Sequence, residues 1–191
     1  MNPSSTHSMY YAAIICPAQI NDKVLQYKQW MKEQFGCTAA LKSPAHITLV
    51  PPFWFETAKE NELLQTLQSF TSVINHLEIH LYGFSHFGKR VLFIGVPENF
   101  NLNRIKNETE GHFTSAFAQS IKKDDRPFHP HVTIATRDMK PSHFEKAWEY
   151  FSRHKFDETF TTKTISLLKL GDGKWNVPGE KDWQVQKNLF D

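Results

Sequence analysis

Two short segments of this chain, one in each half, obey the same rule. His46-Ile47-Thr48-Leu49 and His131-Val132-Thr133-Ile134 both read histidine, apolar, threonine, apolar. This repetition constrains the fold more than any bulk property does. On a β-strand successive side chains point to opposite faces. Each segment therefore presents an imidazole and a hydroxyl together on one face, while two apolar side chains anchor it from behind. Two such strands in matched settings read as an internal duplication, with two lobes meeting at a shared groove.

The intervening sequence supports mixed architecture. Ile20, Val24, Tyr27, Met31 and Phe35 recur at helical spacing, and Gly36 is placed to end that helix. Leu63, Leu67, Phe70 and Ile74 predict a second helix. Leu102, Ile105, Thr109, Phe113 and Ala116 or Phe117 predict a third, and Phe144, Ala147, Trp148 and Phe151 a fourth. Strands are expected over residues 10–15, over residues 45–50 with Pro51-Pro52 as a stop, and over residues 130–135. Residues 77–84 and 90–96 read as a hairpin around a turn in residues 83–89. A threonine-rich strand over residues 159–170, a turn at Gly171-Asp172-Gly173 and a closing strand over residues 183–189 complete the pattern. The expected class is α+β: a bilobal duplicated fold of two mostly antiparallel sheets, with flanking helices around a central groove. Residues 1–8 read as a flexible tail and residues 9–191 as a single two-lobed domain.

Composition narrows the chemistry. The 191 residues include ten histidines, eight glycines and two cysteines, with a formal net charge of +2. That mild charge does not suit a non-specific nucleic-acid coat, although it suits a small anionic ligand. No apolar run approaches the roughly 20 residues needed to span a bilayer, so no membrane role is expected. Residues 9–16 are too short and lack the basic flank of a signal peptide. The expected home is cytoplasmic and reducing, and the sequon Asn107-Glu108-Thr109 then carries no weight. Cys16 and Cys37 cannot build a disulfide framework, and neither has a histidine or aspartate pattern beside it for nucleophilic work. Residues 83–90 nearly spell a phosphate-binding loop. They fail because Arg90 replaces the Ser or Thr that would hold magnesium and a strand follows where a helix is needed.

Two histidine–threonine pairs suit a phosphodiester. In-line attack on phosphorus needs a base for the nucleophile's proton and an acid for the leaving oxygen, and imidazole serves as either near neutrality. Threonine hydroxyls can hydrogen-bond the non-bridging oxygens. Neither a metal nor another cofactor is required. A lone His-x-Thr reads as a surface or core histidine; the matched pair favours function. His129 shares parity with His131 and is a potential metal-ligand pair with it, yet no matching carboxylate accompanies His46, so His129 is expected at the rim. Among Phe53, Trp54 and Phe128, one ring is expected to stack on a base and two to pack in the core. Lys42, Arg126 and Arg137 lie near the paired strands and could attract an anion.

These residues resemble the two-histidine phosphoesterase superfamily, in its 2′-5′ RNA ligase-like branch. The resemblance rests on His46-Ile47-Thr48-Leu49 with Pro51-Pro52-Phe53, on residues 90–96, and on His131-Val132-Thr133-Ile134-Ala135 with Arg137. It implies that His46 and His131 are catalytic, that Thr48 and Thr133 bind phosphate, and that Arg137 contacts phosphate or ribose; Phe53 and Phe128, which flank the two motifs, are read from their position as the substrate-binding rings. It implies metal-independent hydrolysis of a 2′,3′-cyclic phosphate on an RNA end or a nucleotide, with 2′-5′ ligation as a related activity and no obligate protein partner. His46 is assigned to protonate the leaving oxygen and His131 to activate water; the symmetry equally allows the reverse. A non-catalytic RNA or nucleotide binder using the same groove is the alternative, and another cyclic phosphodiester, such as one derived from ADP-ribose, is a third. Two departures stand out. Pro51-Pro52 replaces the apolar-glycine turn of better-studied ligase-like members, and Arg137 sits one place later than their arginine.

Overall fold

The computed structural model describes residues 6–185. In chain order the strands and helices are β1 (His7–Ile15), α1 (Ala18–Phe35), β2 (His46–Glu56), α2 (Glu60–Ser69), β3 (Thr71–Ser72), β4 (Leu77–Tyr82), β5 (Phe84–Phe87) and β6 (Val91–Gly95). They continue with α3 (Phe100–Ala116), β7 (His131–Ala135), α4 (Phe144–Ser152), β8 (Asp157–Thr162), β9 (Thr164–Gly171), β10 (Lys174–Asp182) and β11 (Gln184–Val185). The α+β class holds, with mostly antiparallel pairing.

One sheet has the order β10-β9-β1-β2 and a second the order β5-β6-β7. Strands β4 and β8 form an antiparallel pair, and β3 and β11 a short parallel one. The histidine strands β2 and β7 are each at an edge, and these two edges lie side by side. The helices are exchanged between the sheets. Helix α1 leaves β1 of the first sheet but packs on β7, while α3 leaves β6 of the second and packs on β2. Ile20, Val24 and Met31 of α1 and Leu102, Ile105 and Phe113 of α3 consequently join one continuous apolar core. The α1 helix ends as expected at Gly36, whose φ of 70° is left-handed, with Gly36 N donating to the Lys32 carbonyl and Cys37 N to that of Met31.

Several expected boundaries move. Pro51-Pro52 does not stop the strand, and β2 runs on to Glu56. An edge strand tolerates proline, and the register between Tyr10↔Phe53 and Ala13↔Thr48 shows two bulges that absorb extra residues of β2. Helix α2 stops at Ser69, so Phe70 and Ile74 enter the core from beyond it. The expected hairpin of residues 77–84 with 90–96 is divided. Strand β4 pairs with β8, Gly83 at φ 67° redirects the chain, and only β5 pairs with β6. The threonine-rich run is two strands in different sheets, separated at Lys163, whose carbonyl accepts from Trp183 N at 2.8 Å. Strand β10 has no counterpart in the sequence pattern; its bulge between Asn176 and Gly179 accommodates Pro178. Of the expected tail, residues 1–5 lie outside the described residues, whereas His7 and Ser8 pair with Glu56 and Phe55. Of the closing strand, residues 186–189 lie outside them too.

Both cysteines are buried free thiols. Burial pushes the Cys16 thiol up to about 12 and raises that of Cys37, so neither is an activated nucleophile. Among the described residues no helix is long and apolar enough to cross a membrane.

Candidate active site

His46 opens β2 and His131 opens β7. Each ring makes the same bond. His46 Nδ1 lies 2.8 Å from the carbonyl oxygen of Pro44, and His131 Nδ1 lies 2.6 Å from that of His129. A carbonyl only accepts, so Nδ1 carries the proton in both rings and the Nε2 lone pair is left for chemistry. Both acceptors stand two residues upstream of the ring they hold. The duplication thus extends from the sequence pattern to the tautomer.

Burial pushes His46 down to about 4, partly opposed by the Pro44 carbonyl, with Lys28 and His131 lowering it further. Burial also lowers His131, against the pull of the His129 carbonyl and with a contribution from the His129 ring. Both imidazoles are therefore neutral at neutral pH. An anionic phosphodiester between them would raise the proton affinity of both, which favours a pair sharing one proton. Thr48 and Thr133 follow on the same strand faces, half-buried, and neither hydroxyl has a hydrogen-bond partner among the described residues. Two donors beside two imidazoles suit the charge on a phosphoryl transition state.

A cavity of about 510 Å³ is lined by Thr48, Leu49, Pro51 and Pro52 of β2 and by His131 of β7. Phe128 and Arg126, on the segment before β7, line it too. Lys106 of α3 also lines it, bound to Glu110 at 2.8 Å in a buried ion pair and lying 5.9 Å from the Phe128 ring centroid. Glu110 accepts in turn from Asp124 N at 3.0 Å. The Arg126 guanidinium grips Asp124 through two nitrogens and holds its carboxyl at about 2. These linked pairs fix the loop that carries Phe128.

The structure puts Thr48, His131 and Phe128 in the wall of one cavity, with His46 at the start of the adjacent strand, close enough to His131 to feel its charge, and Thr133 on the strand of His131. It does not bring the other expected contacts. Phe53 is 8% exposed and stacks on Tyr10 at 6.2 Å within the core, so its assignment to substrate is corrected. The bulged prolines set the direction in which it points. Trp54 is 59% exposed. Arg137 is exposed on the turn after β7 and does not line the cavity; the turn itself is tied down by Asp138, which accepts from Thr38 N and Ala39 N. His129 is exposed at the rim. No group of three or more metal-ligating side chains occurs among the described residues.

Several supporting residues were not foreseen. Asn21 Oδ1 accepts from Ala45 N at 2.6 Å and Lys28 Nζ donates to the Ser43 carbonyl at 3.0 Å, so α1 clamps the approach to His46. The Tyr11 ring lies 4.9 Å from that of His46, and Phe93 and Phe87 lie 5.0 and 5.2 Å from that of His131. Lys28 had a visible signal, because it falls on the apolar stripe between Val24 and Met31.

Comparison with known proteins bears on the family and the fold. The family model described as the 2′-5′ RNA ligase superfamily matches residues 17–174. The fold is similar to that of E. coli LigT complexed with 3′-AMP, with a TM-score of 0.64 and 17% identity over 93% of this chain and 98% of that one. It is similar to LigT complexed with ATP, with a TM-score of 0.61 and 18% identity over 93% and 98% of the two chains. TT0787 of Thermus thermophilus has a TM-score of 0.63 and 15% identity over 90% and 96%. No curated protein sequence matches the chain.

Proposed function

The chain belongs to the 2′-5′ RNA ligase superfamily, and from that premise we propose that it is a metal-independent cyclic phosphodiesterase that hydrolyses 2′,3′-cyclic phosphate on RNA ends or nucleotides. The observation that carries this reading is the matched pair of Nδ1–carbonyl bonds, which leaves the Nε2 lone pair of each ring free to take or return a proton. LigT, a structural neighbour, has been seen with the nucleotides 3′-AMP and ATP, which supports a nucleotide in the groove.

In the proposed step His131 Nε2 takes a proton from water, and the oxygen forms a bond to phosphorus. The bond from phosphorus to the ribose 3′ oxygen breaks, and that oxygen takes a proton from Nε2 of protonated His46. The product is a 2′ phosphomonoester, and solvent returns each ring to its starting state. Thr48 and Thr133 donate to the non-bridging oxygens. The same groups serve ligation when a ribose hydroxyl replaces water and a 2′-5′ linkage forms.

Replacing either histidine with alanine is expected to lower kcat on a 2′,3′-cyclic nucleotide by at least about 100-fold, because an acid or a base is removed from the transition state. Valine at Thr48 or Thr133 is expected to cost about 100- to 1,000-fold, the range for one lost donor to a developing oxyanion. Near-full turnover by both histidine variants on every cyclic phosphate would refute the mechanism. Activity that chelator abolishes and zinc or manganese restores would refute its metal independence.

A further inference from the structure

A second cavity, of about 270 Å³, lies at the opposite end of the histidine strand. The first opens beyond Thr48; this one opens before His46, where Ser43 and Pro44 form part of its wall. Its lining includes three lysines, Lys28 from α1, Lys42 from the approach to β2 and Lys174 from the start of β10, and no acidic side chain. None of the three has a carboxylate partner among the described residues. The contrast with Lys106 is direct. Lys106 is 6% exposed and is paired with Glu110, whereas Lys28 is 3% exposed and has only the Ser43 carbonyl. A buried ammonium without a counter-ion carries an uncompensated desolvation cost, which an arriving anion would relieve. Burial lowers Lys28 to about 8, which still leaves it mostly charged at neutral pH.

An aromatic floor connects this cavity to the histidine pair. Trp175, half-buried in the cavity lining, meets Tyr11 edge to face at 4.5 Å, and Tyr11 lies 4.9 Å from His46. One ring therefore separates Trp175 from the imidazole. Basic side chains beside an aromatic platform make up the recognition chemistry of single-stranded nucleic acid: cations for the backbone and a ring for the base.

We infer that the cavity of Lys28, Lys42, Lys174 and Trp175 holds the phosphate and base of the nucleotide adjoining the one that is cleaved, so that the preferred substrate is an oligoribonucleotide end and not a mononucleotide. The inference rests on the cyclic-phosphodiesterase reading for the identity of the cleaved group, but the cavity can be tested apart from it. The primary test compares kcat/KM for a ribotrinucleotide ending in 2′,3′-cyclic phosphate with that for a 2′,3′-cyclic mononucleotide. The wild type is expected to prefer the trinucleotide by at least about tenfold, the scale of one charge-assisted phosphate contact. The double variant K42M/K174M, which leaves the buried Lys28 in place, is expected to lose most of that preference and to turn over the mononucleotide at the wild-type rate. Equal use of both lengths by the wild type, or a preference that survives in the double variant, would overturn the inference.

A binding arm separates this failure from that of the functional reading. Quenching of tryptophan fluorescence is followed on adding a ribotrinucleotide 3′-phosphate, a mononucleotide 3′-phosphate or inorganic pyrophosphate. If no cyclic phosphate is hydrolysed but the trinucleotide binds at least about tenfold tighter than the mononucleotide in a lysine-dependent way, the functional reading fails and the subsite stands. If pyrophosphate binds through the same lysines and chain length adds nothing, the cavity takes a free anion and the inference fails.

Discussion

His46 and His131 make the same bond through Nδ1, and both are held neutral by burial. That sets the pH behaviour. A general base must be deprotonated and a general acid protonated in the free enzyme, so kcat/KM is expected to be bell-shaped. With one group lowered to about 4 and the other also lowered, the maximum is expected below pH 6.5. A maximum at pH 8 would contradict the shifts. Stability carries the same signature. Between about 6.5 and about 4 the unfolded chain binds a proton that folded His46 refuses, so the free energy of unfolding falls as pH drops through that window. H46Q is expected to flatten that slope in chemical denaturation. His46, Thr48, His131 and Thr133 were legible in the sequence, because a period of two repeated in both halves leaves little choice of face. Phe53 was not. Its direction depends on two bulges in β2, and nothing in the residue types counts bulges.

Helix α1 shows how an element far from the groove shapes it. Asn21 accepts the N–H of Ala45, a residue 1% exposed, and Ala45 immediately precedes His46. Asn21→Ala leaves that buried donor without its acceptor, which costs about 1–3 kcal/mol. The bond acts on the site through the backbone before His46, so on a cyclic mononucleotide kcat is expected to fall more than KM rises. Thermal unfolding and steady-state kinetics check both parts, and an unchanged kcat in a destabilised variant would limit Asn21 to a purely structural role. Helices were readable where apolar spacing ran for several turns, as in α1, α3 and α4. Strand boundaries were less so. Proline reads as a stop because a central strand cannot spare the N–H, but β2 and β10 are edge strands and carry their prolines near bulges. The division of residues 77–87 between two partners was hidden as well, since it turns on the left-handed backbone of Gly83.

At the scale of the molecule, the duplicated halves are not independent. Because α1 packs on β7 and α3 on β2, each sheet is covered by a helix whose preceding strand lies in the other, and both contribute to one core. Unfolding is expected to be a single cooperative transition, with the same midpoint by circular dichroism and by tryptophan fluorescence. Two resolved transitions would show lobes that fold separately. The exchange also fixes the spacing of β2 and β7, the two neighbouring edges that open with the histidines. The central claim is that this groove opens a cyclic phosphate with two imidazoles and no metal. Phosphorus NMR of the purified protein with an oligoribonucleotide ending in 2′,3′-cyclic phosphate, in the presence of chelator, tests it most directly. The account predicts that the cyclic-phosphate resonance gives way to that of a 2′ phosphomonoester with wild-type protein and persists with H46A and with H131A. Conversion at the same rate by wild type and both variants, or none by the wild type at any pH from about 4 to about 8, would contradict it.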